Sequence, residues 1–150
     1  MSTLLIEELY PGVQFDQPIK IRRPINLAVI RPWIYKQGTL VDGELTLEVL
    51  QGVNSLATIV IDFSDINTEI PAPYAHGYIR FEFDSLQLNV EEGQAETEYI
   101  LRFSMENHTL DTTNYIAISR DWDDPKMEVY GVGPSDVQDP AGIELYNYKG

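Results

Sequence analysis

Apolar and polar residues alternate along much of the chain with the period of two that is typical of β-strands. The alternation is clearest over residues 44–49, 78–83 and 99–106, where every second residue is a large apolar one. Ile116 and Ile118 continue the pattern. No segment keeps apolar residues at the three- and four-residue spacing of an amphipathic helix over ten or more positions. The pattern therefore predicts strands with one buried and one solvated face, and no helices.

Residues that favour turns separate these runs. Asp-Gly at residues 42–43 predicts a hairpin, and the prolines within residues 71–73 break the chain before the next strand. Glu-Gly at 92–93 and Asp-Asp-Pro at 123–125 separate later runs. The result is about seven to nine short strands without intervening helices, and one polar face per strand fits antiparallel pairing. We therefore predict an all-β fold, an antiparallel two-sheet β-sandwich.

The two ends of the chain are richer in proline and less regular than the middle. Residues 1–24 contain three prolines and are predicted to be an extended N-terminal arm that could include one edge strand. Residues 25–131 are predicted to form the sandwich. Residues 132–150 are predicted to be a C-terminal extension that packs either on this body or on a partner.

Composition and charge narrow the classes of function. A hydrophobic content of 43% is too high for a disordered chain, and the absence of cysteine excludes disulfides and thiolate metal sites. A net charge of −14 argues against nucleic acid as a partner. The apolar runs are far shorter than the roughly 20 residues of a membrane-spanning helix, and the acidic start is unlike a secretory signal. We expect a complete chain without a membrane segment.

The charge is unevenly distributed. Residues 1–36 hold five basic and three acidic side chains, whereas residues 37–150 hold five basic and 21 acidic ones. Two interpretations remain open: a well-solvated acidic body, or a basic N-terminal region that docks on an acidic neighbour, either another copy of the chain or a larger assembly.

Catalytic machinery is not apparent. The two histidines, His76 and His108, fall in predicted connections between strands, and the spacing supplies no partners for either. The motifs of serine hydrolases, zinc proteases and phosphate-binding loops are missing from the sequence. The protein is therefore predicted not to be an enzyme.

One acidic turn is a candidate calcium site. Asp121, Asp123 and Asp124 place carboxylates close together in a loop, and Asp111 is a further candidate ligand. Calcium prefers such oxygen ligands, but the stretch lacks the glycine and distal glutamate of a helix-loop-helix calcium loop. A solvated turn is the alternative, and no other cofactor is predicted.

Aromatic residues could form either a sugar-stacking platform or a protein-interface hot spot. They are Trp33, Tyr35, Tyr74, Tyr78, Trp122 and Tyr130. Filling of the core is the alternative for each of them. Together with the basic residues near the N-terminus, the two tryptophans give our candidate partner-binding set: Lys20, Arg22, Arg23, Arg31, Trp33 and Trp122.

The middle of the chain resembles a known group of domains. The resemblance covers about two-thirds of the chain and is carried by residues 43–49 (GELTLEV), 64–66 (SDI), 78–83 (YIRFEF), 98–103 (EYILRF) and 114–116 (NYI). These runs are similar to the jelly-roll, carbohydrate-binding-module-like β-sandwiches found in bacteriophage virion accessory proteins and bacterial surface proteins. The resemblance implies a jelly-roll-like sandwich.

The same resemblance implies two classes of function. The first is a structural accessory protein of a phage particle, most simply a capsid decoration protein. It would be located on the virion, contact virion proteins such as a major capsid protein, and form a homo-oligomer there. The second is a carbohydrate-binding module, or a tail or baseplate component that binds a receptor, with an extracellular or cell-surface location and a glycan as ligand.

Overall fold

Strands dominate the computed structural model, as the alternation predicts. The structure describes residues 6–9, 14–22, 24–38, 40, 43–70, 74–106, 115–119, 128–132 and 143–145. The strands are β1 (Ile6–Leu9), β2 (Gln14–Ile21), β3 (Ile25–Arg31), β4 (Trp33–Gln37), β5 (Glu44–Gln51), β6 (Asn54–Asp62), β7 (Tyr74–Tyr78), β8 (Phe81–Leu88), β9 (Thr97–Glu106), β10 (Tyr115–Ser119), β11 (Glu128–Val132) and β12 (Ile143–Leu145). One helix, α1 (Phe63–Glu69), follows β6.

The strands form two layers of antiparallel sheet. One layer has the order β12-β2-β9-β5-β6. The other consists of a four-stranded sheet, β1-β10-β4-β7, and a three-stranded sheet, β11-β3-β8. These two sheets follow one another along the chain, because only Pro32 separates β3 from β4 and only Ile79 and Arg80 separate β7 from β8. The Ile79 backbone N–H donates to the Pro32 carbonyl at 3.2 Å, so the interruption between β7 and β8 is hydrogen-bonded to the interruption between β3 and β4.

The order of strands in the layers is that of a jelly roll. Counting β3/β4, β7/β8 and β10/β11 each as one segment gives eight segments before β12. With the segments numbered in chain order, the five-stranded layer has the spatial order 2-7-4-5, with β12 added beside segment 2 (strand β2). The other layer has the spatial order 1-8-3-6. Chain segments cross repeatedly between the layers, as in the double Greek key of jelly rolls. The predicted antiparallel, jelly-roll-like sandwich is therefore confirmed.

The core lies between the layers and follows the predicted alternation. Every second residue of β5 and β9 is buried, as expected for strands with one wet face. Phe103 on β9 stacks on Phe15 of β2 at 6.1 Å between ring centroids and meets Phe81 of β8 edge-on at 5.9 Å. Phe103 therefore links the two layers, and burial of such a side chain contributes about 1.5–3 kcal/mol.

The predicted N-terminal arm differs from the structure. Gln14–Ile21 is not an arm but strand β2, paired with β9 along its whole length. Its alternate residues Phe15, Ile19 and Ile21 are buried in the core. Among the described residues, β12 pairs with residues 19–21, so Pro18 has β9 as its one described neighbouring strand, a position at which proline is tolerated. Within the predicted C-terminal extension, Ile143–Leu145 forms the outer strand beside β2.

The helix was not predicted because it has only seven residues. Phe63, Ile66 and Ile70 are buried at three- and four-residue spacing, which places them on one helical face. Two turns are too short for a periodicity that requires ten or more positions. Asn67, which is half-buried, connects the helix to Leu40 by donating to the Leu40 carbonyl at 2.8 Å and accepting from the Leu40 N–H at 3.1 Å.

The predicted hairpin at residues 42–43 is wrong. Strands β4 and β5 lie in different layers, so the segment between them crosses the sandwich. The tight hairpin instead joins β5 to β6, where Gln51 pairs with Asn54 across Gly52 and Val53. Gly52 has a φ of 62°, a left-handed conformation that glycine adopts without a Cβ clash. Gly93 (φ 83°) similarly occupies the turn closed by the Gln94 N–H and the Glu91 carbonyl.

Candidate functional site

Four aromatic rings lie together on one face of strands β4 and β7. Trp33 is directly opposite Tyr78, and Tyr35 is directly opposite His76. Paired residues share a face of the sheet, and residues two apart on a strand share it too. The intervening residues Ile34 and Lys36 are buried on the opposite face. Trp33, Tyr35, His76 and Tyr78, together with Arg31, are called the aromatic face below.

The rings of the aromatic face contact one another at steep angles. Trp33 lies 4.7 Å from Tyr78 at 80° and 6.5 Å from Tyr35 at 73°, both edge-to-face arrangements. His76 lies 4.9 Å from Trp33 and 5.5 Å from Tyr35, in tilted geometry. Such pairs each stabilise by about 0.5–1.5 kcal/mol beyond the area that they bury. The cluster is therefore held in place before any partner binds.

A cation extends the aromatic face. The Arg31 guanidinium carbon lies 4.5 Å from the centroid of the Tyr78 ring, within the range of a cation–π interaction. Arg31, Trp33, Tyr35 and Tyr78 are half-buried, and His76 is exposed. Tryptophan and tyrosine side chains have only two rotatable bonds, so those that remain partly accessible lose little conformational entropy on binding, which suits a contact surface.

The indole N–H of Trp33 is an unused donor. Its Nε1 atom is buried and has no hydrogen-bond partner in the described structure. A buried donor without an acceptor costs about 1–3 kcal/mol.

Beneath the aromatic face, Lys36 anchors the sheet to helix α1. Its Nζ donates to Oδ1 of Asn67 at 3.1 Å, and the side chain is almost fully buried. Burial lowers the pKa of Lys36, because the charged form loses hydration. The contact holds β4 against the helix, so Lys36 supports the face from the core side and does not belong to it.

The structure separates the predicted partner-binding residues. Arg31 and Trp33 lie together on the aromatic face, whereas Lys20 and Arg22 lie at the end of β2 in the other layer. Lys20 Nζ is 3.1 Å and Arg22 Nε 4.0 Å from the carboxylate of Glu96. These two cations thus share an acidic neighbour within the chain, which weakens the interpretation of a basic docking region.

The remaining predicted site residues lie outside the described residues. Arg23 and Trp122 of the partner-binding set are among them, as are the calcium candidates Asp111, Asp121, Asp123 and Asp124 and the second histidine, His108. In the part of the chain that the structure describes, no group of three or more metal-binding side chains comes together.

The position of His76 was missed at the level of sequence. It was assigned to a connection because prolines precede it and Gly77 follows it. In the structure it belongs to strand β7 and packs against Trp33 and Tyr35. The available signal was the alternation of Tyr74, His76 and Tyr78, which places ring side chains at every second position.

The ion pair between Arg102 and Asp16 has a structural role. Arg102 on β9 makes a two-pronged contact with Asp16 on β2, with nitrogen–oxygen distances of 2.8 and 3.0 Å. The hydrogen bond to Asp16 raises the pKa of Arg102, so the guanidinium stays charged. This pair fixes the register of β2 against β9.

Comparisons with known proteins identify no relative of this chain. No protein-family model, no curated protein and no solved structure matches the chain. No described helix is long and apolar enough to cross a membrane.

Proposed function

We propose that this protein is a non-enzymatic structural accessory protein of a bacteriophage particle, a capsid decoration protein that binds its neighbour through the aromatic face. The observation that carries the proposal is the preformed cluster of Trp33, Tyr35, His76 and Tyr78 beside Arg31. Tryptophan, tyrosine and arginine are the residues that dominate binding energy at protein interfaces. The phage setting rests on the resemblance of residues 25–131 to virion accessory domains.

The jelly-roll order of strands is compatible with this role. Jelly rolls occur among viral capsid and lectin domains, although fold alone does not determine function. A sandwich of this kind is a rigid body, and a rigid body can hold an outward face of one sheet in a fixed orientation. Repetition of such a contact over a symmetric particle multiplies weak individual contacts into a stable layer.

The angles between the rings favour a protein partner over a sugar. A sugar-stacking platform presents ring faces roughly parallel to the surface, so that a pyranose lies flat on them. Here Trp33 stands at 80° to Tyr78 and at 73° to Tyr35, so the cluster presents a mixture of edges and faces. An irregular protein surface, with its own aliphatic and carbonyl groups, fits that mixture better.

The test is sedimentation of a native lysate from the source of the protein through a density gradient, with this chain followed by mass spectrometry. Co-migration with a particle far larger than the 17.1 kDa chain, together with shell proteins, is the expected result. Recombinant variants are then compared for rebinding to stripped particles. Trp33→Ala and His76→Ala should each reduce occupancy, whereas Glu98→Ala, an exposed change on the other layer, should not.

His76→Ala keeps the test decisive if Trp33→Ala folds poorly, because His76 is exposed and contributes less to packing. Full occupancy of both variants would refute the aromatic face as the contact. Recovery of the wild-type chain only as a small free species would refute the virion assignment.

Glycan binding is the second candidate, because aromatic rings on a sandwich face are the usual means of holding sugars. It predicts retention of the wild-type protein on an immobilised glycan and loss of retention in Trp33→Ala. A receptor-binding role in a tail or baseplate would give the same result, with a location on the outside of a host cell. Absence of retention on every glycan tested removes this candidate.

A further inference from the structure

We draw no further inference here: the strongest candidate, the cleft of about 220 Å³ between helix α1 and the end of β6, with Ile61 and Ile79 in its walls and Asp65 and Glu69 on its rim, carries none, because both carboxylates are exposed and nothing in the described residues shows what would occupy the cleft.

Discussion

Substitution of Ile19 by alanine tests whether residues 14–21 are part of the sandwich. Ile19 is fully buried, lies opposite Tyr99 on β9, and has Leu145 of β12 on its other side. The change deletes three side-chain carbons from a position with neighbours on both flanks and the opposite layer above. For a buried isoleucine of this kind the loss is about 2–5 kcal/mol, and the close packing here favours the upper half of that range.

The magnitude is large relative to the stability of the domain. A domain of this size is stable by about 5–15 kcal/mol, so the variant should lose a substantial fraction of its unfolding free energy. At about 2–4 °C per kcal/mol, a loss of about 3 kcal/mol lowers the melting temperature by about 6–12 °C. Urea denaturation followed by circular dichroism measures the difference, and an unchanged denaturant dependence shows that the folded state is otherwise intact.

The matched control is Gln14→Ala, which changes an exposed residue at the start of the same strand. It should alter the unfolding free energy by no more than about 0.5 kcal/mol. If residues 1–24 were a free arm, Ile19→Ala would behave like this control. A loss below about 0.5 kcal/mol for Ile19→Ala would therefore refute the placement of β2 in the core.

Three further changes probe individual features by the same denaturation assay. Lys36→Met removes a lysine whose pKa is lowered by burial, so the cost of burying its charge is full at low pH and fades as Lys36 deprotonates. The wild-type protein should therefore gain stability relative to the variant as the pH rises toward 10.5. A difference in stability that does not depend on pH would contradict this. Tyr99→Phe removes a hydroxyl that donates to the Asn89 carbonyl at 2.6 Å and accepts from its N–H at 2.9 Å, and should cost about 1 kcal/mol; no loss would mean that water replaces both bonds. Gly52→Ala forces a left-handed φ of 62° on a residue with a Cβ and should cost about 1–2 kcal/mol, although nothing lies within 4 Å of that Cβ; a neutral result would contradict the turn geometry.

The sheet-forming part of the fold was predictable because it depends on a local pattern. Alternation over residues 99–106 identified the buried face of β9 without knowledge of its neighbours. The pairing of β2 was not predictable in the same way, since proline within residues 14–21 suggested an arm. In the described part of the chain β12 pairs with residues 19–21 and leaves Pro18 with one neighbouring strand, which explains why proline is tolerated there. The explanation thus depends on the pairing of β12 with β2, two strands that are remote in sequence.

The aromatic face was predictable in its members and not in its geometry. Trp33, Tyr35 and Tyr78 were singled out by residue type, and Arg31 by charge. Their assembly depends on the register of β4 against β7, which brings together residues more than 40 positions apart. His76 was missed because glycine and proline near it outweighed a short alternation. Residues 74–78 form a strand despite their local turn propensity, because pairing within the sheet stabilises the extended conformation.

Hydroxyl-radical footprinting of the chain, free and bound to the particle with which it sediments, tests the central claim most directly. The account predicts that oxidation of Trp33, Tyr78 and His76 falls on binding, because Trp33 and Tyr78 are partly accessible and His76 is exposed in the free protein, and all three belong to the proposed contact. Glu98 and its neighbours on the outer face of the other layer should be labelled equally in both states. Unchanged oxidation of all three aromatic-face residues in the bound protein would contradict the claim that this face is where the protein binds.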